Sequence, residues 1–323
     1  MFFSIVIPTY NRQHLLVRAL DSILNQSFNA DEFEVIVVDN GSTDQTRQVA
    51  EGFSSKFDKF SYTHQAAPGL HAARHTGLRA AKGDVVIFGD DDIRCEPTWL
   101  NGIAGAFKSA GATLATGPCR PEYEHTPPAW VETLKEKIPQ IPDAWYLASY
   151  SIIDLGDQWL QIPAELAFGC NYSIVRKEVE ELGGFHPDSL PQNFLQYRGD
   201  GETALSQAVS QKGGRIIYSP LAAVNHWVSS ERLTIPYIYK RHFSEGVTFS
   251  YVATRKYGKL PDNPHALAPR FSPAPEDSVQ SEIQRGVLDG FFYHQQQLRS
   301  DKNLLQWIFK ETYLEDSDLR LQS

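Results

Sequence analysis

Cysteine and methionine are scarce, at 3 and 1 among 323 residues. Cys95, Cys119 and Cys170 lie far apart with no paired spacing, which excludes a zinc ribbon or a local redox pair and gives no sign of a disulfide framework. Long apolar runs are missing as well. No stretch approaches the roughly 18 to 20 apolar residues that cross a bilayer. The opening run FFSIVI ends at Pro8 and has neither the basic start nor the small-residue cleavage site of a secretory signal. Positive charge is in deficit, 30 Lys and Arg against 39 Asp and Glu, for a formal net charge of −9. That balance disfavours a nucleic-acid binder, which needs a basic face. The acidic excess is dispersed and bears on solubility. A soluble, cytoplasmic protein is the expectation.

What is present is an ordinary globular composition, 41% apolar and 21% charged, arranged with a clear rhythm. Phe2 to Ile7 is a short apolar run of the kind found in strands buried on both faces. Leu15, Leu16, Ala19, Leu20, Ile23 and Leu24 recur at helical spacing. Further strands are predicted at Glu34 to Val38, Phe60 to His64, Val85 to Phe88 and Thr113 to Gly117. Between them fall helices over Asp44 to Phe53, with Ser42 or Thr43 as caps, and over Leu70 to Ala81. Pro97 fits the first turn of a helix after the fourth strand. This alternation predicts an α/β fold, a mostly parallel sheet flanked by helices.

The rhythm breaks where six prolines between Pro118 and Pro142 forbid long helices and central strands. It returns with a strand over Phe168 to Val175, a helix ending at Gly183 and Gly184, a helix over Glu202 to Gln211, and strands in RIIYSP and LAAVNH. From Thr234 the chain reads as mainly helical, and its last helices fall near Ile283 to Leu298 and Leu304 to Tyr313.

In an open parallel sheet, ligands bind beyond the carboxyl ends of the strands. Three such ends carry polar groups here: Pro8-Thr9-Tyr10-Asn11-Arg12, Asp39-Asn40-Gly41-Ser42-Thr43-Asp44 and Gly89-Asp90-Asp91-Asp92. Three adjacent carboxylates repel one another. Fully solvated, they would be a turn that caps the next helix; at the end of a buried strand they make sense when Mg²⁺ or Mn²⁺ neutralises them. His71 and His75 also have a metal-binding spacing on a predicted helix, but without a third ligand they read as surface or nucleotide-proximal histidines.

The segments SIVIPTYNR, EVIVVDNGSTD, GLHAARHTGLRAAKGDVVIFGDDDI and GCNYSIVRKEV, in this order, resemble a family 2 glycosyltransferase of the GT-A fold. RGDGETAL and PLAAVNHWV are similar to the family's acceptor-side acidic motif and to the strand-His element behind it; beyond Arg241 the resemblance fades. It implies a Rossmann-like catalytic domain over residues 1–230, with a nucleotide-sugar half at 1–117 and an acceptor-side half at 118–230, followed by a helical extension at 231–323. It also implies a metal-dependent, inverting transfer of a sugar from a UDP- or GDP-linked donor. The acceptor would be a glycan, a lipid-linked or a small molecule, in polysaccharide or glycan assembly, with peripheral contact to the inner membrane face.

The resemblance assigns residues as well. Pro8, Thr9, Tyr10 and Arg12 would hold base and ribose, with Tyr10 stacking on the base or packing beside the sheet. Asp39 would accept from a base N–H, and Arg74 would lie near the nucleotide. Asp90 matches the ribose-side acid of the DxD pattern, and Asp92 the metal ligand; Asp91 would meet donor sugar or protein. His226 would complete the metal site or be a packed histidine. The base that takes the acceptor proton is Glu202 if the following helix sets the alignment, and Asp200 if Gly199 does. Where many relatives read Glu-Asp, this chain reads Asp-Gly-Glu, and the choice stays open.

Three other readings compete. A sugar nucleotidyltransferase needs a glycine-rich phosphate loop after the first strand, and PTYNRQHL has no glycine. An aspartate-based phosphatase needs its nucleophile where Pro8 stands. A non-catalytic sugar-binding or scaffolding protein would have lost an acid at the metal or base position, and neither is lost. The C-terminal aromatics Phe291, Phe292, Tyr293, Trp307 and Phe309 are expected to pack on the main body, a dimer or membrane-borne acceptor contact being the alternative.

Overall fold

The computed structural model describes residues 1–139, 141–276 and 278–314. Its strands, in chain order, are β1 (Phe3–Thr9), β2 (Phe33–Asp39), β3 (Phe60–His64), β4 (Val85–Gly89), β5 (Ile93–Cys95), β6 (Leu114–Thr116) and β7 (Cys119–Tyr123). They continue as β8 (Glu136–Lys137), β9 (Trp145–Leu147), β10 (Ile152–Asp154), β11 (Leu160–Gln161), β12 (Asn171–Val175), β13 (Ile216–Tyr218) and β14 (Val224–Val228). The helices are α1 (Gln13–Leu24), α2 (Thr46–Phe53), α3 (Leu70–Ala80), α4 (Trp99–Lys108), α5 (Ala129–Glu132), α6 (Arg176–Glu181), α7 (Glu202–Gln211), α8 (Ile235–Tyr257), α9 (Val279–Ser300) and α10 (Lys302–Ile308).

The main sheet has eight strands in the order β11-β13-β6-β12-β4-β1-β2-β3. β3, β2, β1 and β4 are mutually parallel, as the alternation predicts. β12 is inserted antiparallel between β4 and β6, with Asn171 opposite Gly89. That reversal decides the site. The start of an antiparallel strand lies at the same sheet edge as the ends of its parallel neighbours, so Gly169 and Cys170 join Thr9, Asp39 and Asp90 there. Every residue of β1 and β2 is buried, which explains their apolar centres; the buried Ser4 hydroxyl donates to the buried Glu34 carboxylate at 2.6 Å.

A second sheet, β5-β14-β7-β10-β9-β8, was not foreseen. Its strands run from two to five residues, too short for a periodicity to register. The proline-rich region therefore does contain a strand, β7, through Pro121. β7 pairs with β14 along its whole length but with β10 only at Cys119, so its other edge is free where Pro121 has no N–H to give. β14 in turn pairs with β5, placing His226 opposite Ile93 and next to the acidic triplet.

Two local expectations are corrected. α2 starts at Thr46, and its entry is held by Asp44, whose Oδ1 accepts from the Thr46 amide and hydroxyl. Ser42 and Thr43 instead tie back to the loop after β1: Ser42 Oγ accepts from Asn11 N, and Thr43 N donates to Asn11 Oδ1. α4 starts at Trp99, so Pro97 precedes the first turn rather than opening it.

α8 and α9 lie side by side in the same direction, and glycines let their backbones touch. A Cβ on Gly290 would stand 1.9 Å from the Phe243 carbonyl oxygen, and one on Gly246 2.1 Å from that of Val287. The C-terminal aromatics pack inward: Phe291 is buried, and Trp307 Nε1 donates to the Tyr197 carbonyl at 3.2 Å. No helix among the described residues is long and apolar enough to cross a membrane.

Candidate active site

The edge where β1, β2 and β4 end opens into a cavity of about 920 Å³. Pro8, Thr9, Tyr10 and Arg12, from the loop after β1, line one side. Tyr10 is 57% exposed, so its ring is a free platform and does not pack beside the sheet. Asn11 takes φ 52° and turns the chain so that Arg12 points back at the acidic triplet. Asp39 ends β2 at this edge. It is buried; Oδ1 accepts from Ser42 N at 2.8 Å and Oδ2 from the Tyr62 hydroxyl at 2.8 Å. Asn40 and Gly41 form the cavity wall in its place.

The three aspartates occupy three environments. Asp91 is a structural anchor: Oδ2 accepts from Thr9 Oγ1 at 2.7 Å, and Oδ1 from Arg12 Nη1 at 2.9 Å. Burial pushes its carboxyl up, against the pull of Arg12. Asp90 faces the cavity and lies 3.6 Å from Arg74; burial raises it too. Burial would likewise raise Asp92, but His226, Arg12 and Arg232 outweigh it and hold that carboxyl below its usual range. The Arg12 guanidinium spans both acids, reaching Asp92 Oδ2 at 3.0 Å.

One carboxylate oxygen each of Asp90 and Asp92 and one ring nitrogen of His226 lie within 4.8 Å of one another. His226 Nδ1–H donates to the Tyr150 carbonyl at 2.8 Å. That leaves Nε2 facing Asp92 Oδ1 at 3.2 Å. On a neutral ring both atoms are acceptors, so a cation has to stand between them: a proton or a metal. Without metal it is the proton, and although burial disfavours it, Asp92 pushes His226 up to about 9. Among the described residues, the buried Asp92 Oδ1 has no hydrogen-bond partner beyond this contact. Two hard oxygens, one imidazole oriented by a carbonyl, and a cavity next to them fit a divalent ion such as Mn²⁺ or Mg²⁺.

The acceptor-side acids separate cleanly. Glu202, the first residue of α7, lines the cavity; its Oε1 accepts from Gly169 N at 2.8 Å and its Oε2 lies 3.4 Å from Arg74 Nη1. Burial raises its carboxyl, with Arg74 opposing. Asp200 turns away from the cavity and pairs with His186 Nδ1 at 2.6 Å. Arg74 is fully buried, donates to the Gly169 carbonyl at 3.0 Å, and bridges Asp90 to Glu202. It links the carboxylates at the two ends of the cavity. His71 and His75 are not surface residues. Both are buried in α3; His75 Nε2 accepts from Phe185 N at 2.9 Å, and burial drops its pKa to about 3.

Several cavity residues escaped the sequence reading: Asp188, Arg198, Arg232, Tyr237, Lys240 and Arg241. Asp188 and Arg198 come from irregular segments that carry no period. Tyr237, Lys240 and Arg241 had a signal available, since with Ser244 they recur at i, i+3, i+4 and i+7 on α8. Cys119 and Cys170, far apart in sequence, meet with their sulfurs 3.1 Å apart beside the site, as free thiols.

The model of glycosyl transferase family 2 matches residues 4–177. The validoxylamine A glucosyltransferase of Streptomyces hygroscopicus subsp. limoneus is 29% identical over 199 residues, 57% of this chain and 44% of that one. The glucosyl-dolichyl phosphate glucuronosyltransferase of Haloferax volcanii is 23% identical over 248 residues, 76% of this chain and 75% of that one. Among solved structures, the mannosyltransferase PcManGT from Pyrobaculum calidifontis in complex with GDP-Man and Mn²⁺ superposes with a TM-score of 0.55. It is 17% identical and the match covers 98% of this chain and 85% of that one, a likeness of fold. The chain spans less than half the length of several curated relatives it matches, 38%, 44% and 47%.

Proposed function

Because the chain belongs to glycosyl transferase family 2, we propose that it transfers a sugar from a nucleoside-diphosphate sugar to an acceptor hydroxyl, with a divalent metal and with inversion at the anomeric carbon. The observation that supports this most is the convergence on one cavity of the Asp90, Asp92 and His226 donor set with the buried carboxylate of Glu202.

Each residue then has a task. Tyr10 stacks on the base, with Pro8 and Thr9 beneath it, while Asp39 keeps the base-side loop in shape through Ser42 and Tyr62. Asp90 faces the ribose side; Asp92 and His226 hold the metal. A divalent cation there supplies Lewis-acid stabilisation of charge on the leaving diphosphate. Arg12 spans Asp91 and Asp92, so it fixes the metal-side carboxylate in place before any donor arrives. Glu202 takes the proton of the attacking hydroxyl. Its burial helps, because a raised pKa makes a carboxylate a better proton acceptor. Asp200, held by His186, positions the turn into α7. Residues 1–117 serve the donor and 118–230 the acceptor; the extension from 231 adds Tyr237, Lys240 and Arg241 to the acceptor wall.

The test is a thermal-shift panel of UDP, GDP, CDP and dTDP, each with Mn²⁺, with Mg²⁺ and with EDTA. A ligand at about 100 times its Kd adds roughly 2.7 kcal/mol of stability. One nucleotide is expected to stabilise the protein only with metal, and Asp92→Asn to abolish that gain. If no nucleotide stabilises under any condition, the transferase reading falls and a scaffolding role replaces it.

A further inference from the structure

The acceptor end of the cavity carries more positive charge than the donor machinery uses. Of the cations lining the cavity, Arg12 is engaged by Asp91 and Asp92, and Arg74 by Asp90 and Glu202. Arg232 leans on the metal end, 3.6 Å from Asp92 Oδ2. Arg198, Lys240 and Arg241 remain. Arg198 pairs with Asp188 at 2.7 Å and approaches Glu245 at 3.8 Å, and Arg241 pairs with the same Glu245. Lys240 makes no ion pair among the described residues and lines the cavity. Arg198 and Arg241 thus have acidic partners, Asp188 and Glu245, and Lys240 has none among the described residues, in a protein whose overall charge is −9.

Its placement is specific. Tyr237, Lys240, Arg241 and Ser244 form one face of α8, and all four line the cavity. Arg241 is a quarter exposed and lines the same cavity as Glu202. A group bound to Lys240, Arg241 and the Ser244 hydroxyl would therefore share that cavity with the carboxylate that activates the acceptor. The two cations match a phosphate, which accepts charge-assisted hydrogen bonds from several donors at once; the Ser244 hydroxyl, which here donates to the Lys240 carbonyl at 3.3 Å, would turn to join them.

We propose that the acceptor carries a phosphate group close to its reactive hydroxyl, and that Lys240, Arg241 and Ser244 on α8 are the subsite that recognises it. The inference rests on the transferase reading and names the acceptor class for that same site. The phosphate can be borne by a soluble glycan or polyol, or by a lipid carrier.

Calorimetry separates these cases, with the donor site filled by the nucleotide and metal that bind in the panel. Glycerol 3-phosphate, glycerol at matched ionic strength, and phosphatidylcholine vesicles with and without a polyprenyl phosphate are titrated into wild type, Lys240→Ala and Arg241→Gln. Phosphate in at least one presentation is expected to bind where its neutral counterpart does not. Lys240→Ala should weaken that binding about tenfold, the scale of one charge-assisted contact, and leave nucleotide affinity within about twofold. A soluble ester that binds marks a soluble acceptor; binding of the doped vesicles alone marks a lipid carrier. The proposal is overturned if neither presentation beats its neutral control. It is also overturned if Lys240→Ala weakens nucleotide and phosphate ester equally, since the cations would then serve the donor. Failure of every nucleotide to bind wild type would instead sink the transferase reading, and this inference with it.

Discussion

Glu202 and Asp200 differ by two positions in sequence and by their whole surroundings in space. Glu202 faces the cavity with the Gly169 amide and Arg74 on its oxygens; Asp200 is committed to His186. Glu202→Gln is expected to cut turnover by about 10² to 10⁴, the usual weight of a general base, with nucleotide affinity unchanged. Since burial raises its pKa, the acid limb of the kcat profile should lie above the range of an ordinary glutamate, near 4.3. Turnover falls as pH drops through that limb because the base becomes protonated. Asp200→Asn should leave the limb in place; a limb that moves with Asp200 and not with Glu202 would reverse the assignment. At this scale the residue types were legible and their partners were not. The acidic triplet announced itself and the resemblance gave its members different tasks, yet only the fold gives their partners: Thr9 and Arg12 for Asp91, and His226 for Asp92.

Among the elements, β1 to β4 and α1 to α3 were readable because each is long enough to display a period or an apolar run. α7 was foreseen to the residue, at Glu202–Gln211. The second sheet was not: of its strands only β14, which overlaps LAAVNH, was expected, because the others are short, show no alternation and gain their stability from partners distant in sequence. The α8–α9 pair illustrates a further gap. Helicity was evident, but nothing along the chain marks the glycines that bring the two backbones together. Gly to Ala inside a helix ordinarily gains about 1 kcal/mol. Here Gly290→Ala has to push its methyl through the Phe243 carbonyl oxygen, 1.9 Å away, so the sign reverses. A loss of about 1 to 3 kcal/mol is expected, read as a lower denaturant midpoint. A rise in the midpoint would show that the two helices can separate without cost.

For the whole molecule, buried neutral histidines set a pH dependence. Burial lowers His75 to about 3 and His294 to about 4. His294 has a neutral pattern of partners, with Nε2–H donating to the Gln196 carbonyl and Nδ1 accepting from Ser250. Both pKa values are depressed in the fold relative to a free histidine near 6.5. Below that value the unfolded chain binds more protons than the native one, so stability falls as pH falls, progressively down to the folded pKa. Each histidine should cost about 2 kcal/mol between pH 7.5 and pH 5. His226, raised to about 9 by Asp92 over the opposing effect of burial, runs the other way. Its contribution is complete below about 6.5 and fades as pH rises through 9. The raised carboxylates of Asp90, Asp91 and Glu202 run against the two histidines over the same range, so the histidine contribution is read by comparison with a variant. The urea midpoint at pH 5 relative to pH 7.5, in EDTA, should be lower in wild type than in His294→Gln; the same ratio in both would mean that His294 does not stay neutral.

The sequence by itself determined the α/β class, the three strand ends that carry Thr9, Asp39 and Asp90, and the family resemblance, because local patterning and short ordered motifs are properties of neighbouring residues. The tertiary structure alone decided which of those groups meet. Antiparallel insertion of β12 brings Gly169 to Glu202, the β5–β14 pairing brings His226 to Asp92, and α8 turns Tyr237, Lys240 and Arg241 into the cavity. Contacts of this kind join residues that are distant in the chain. Their energy lies in burial and pairing across elements, which no window along the sequence contains.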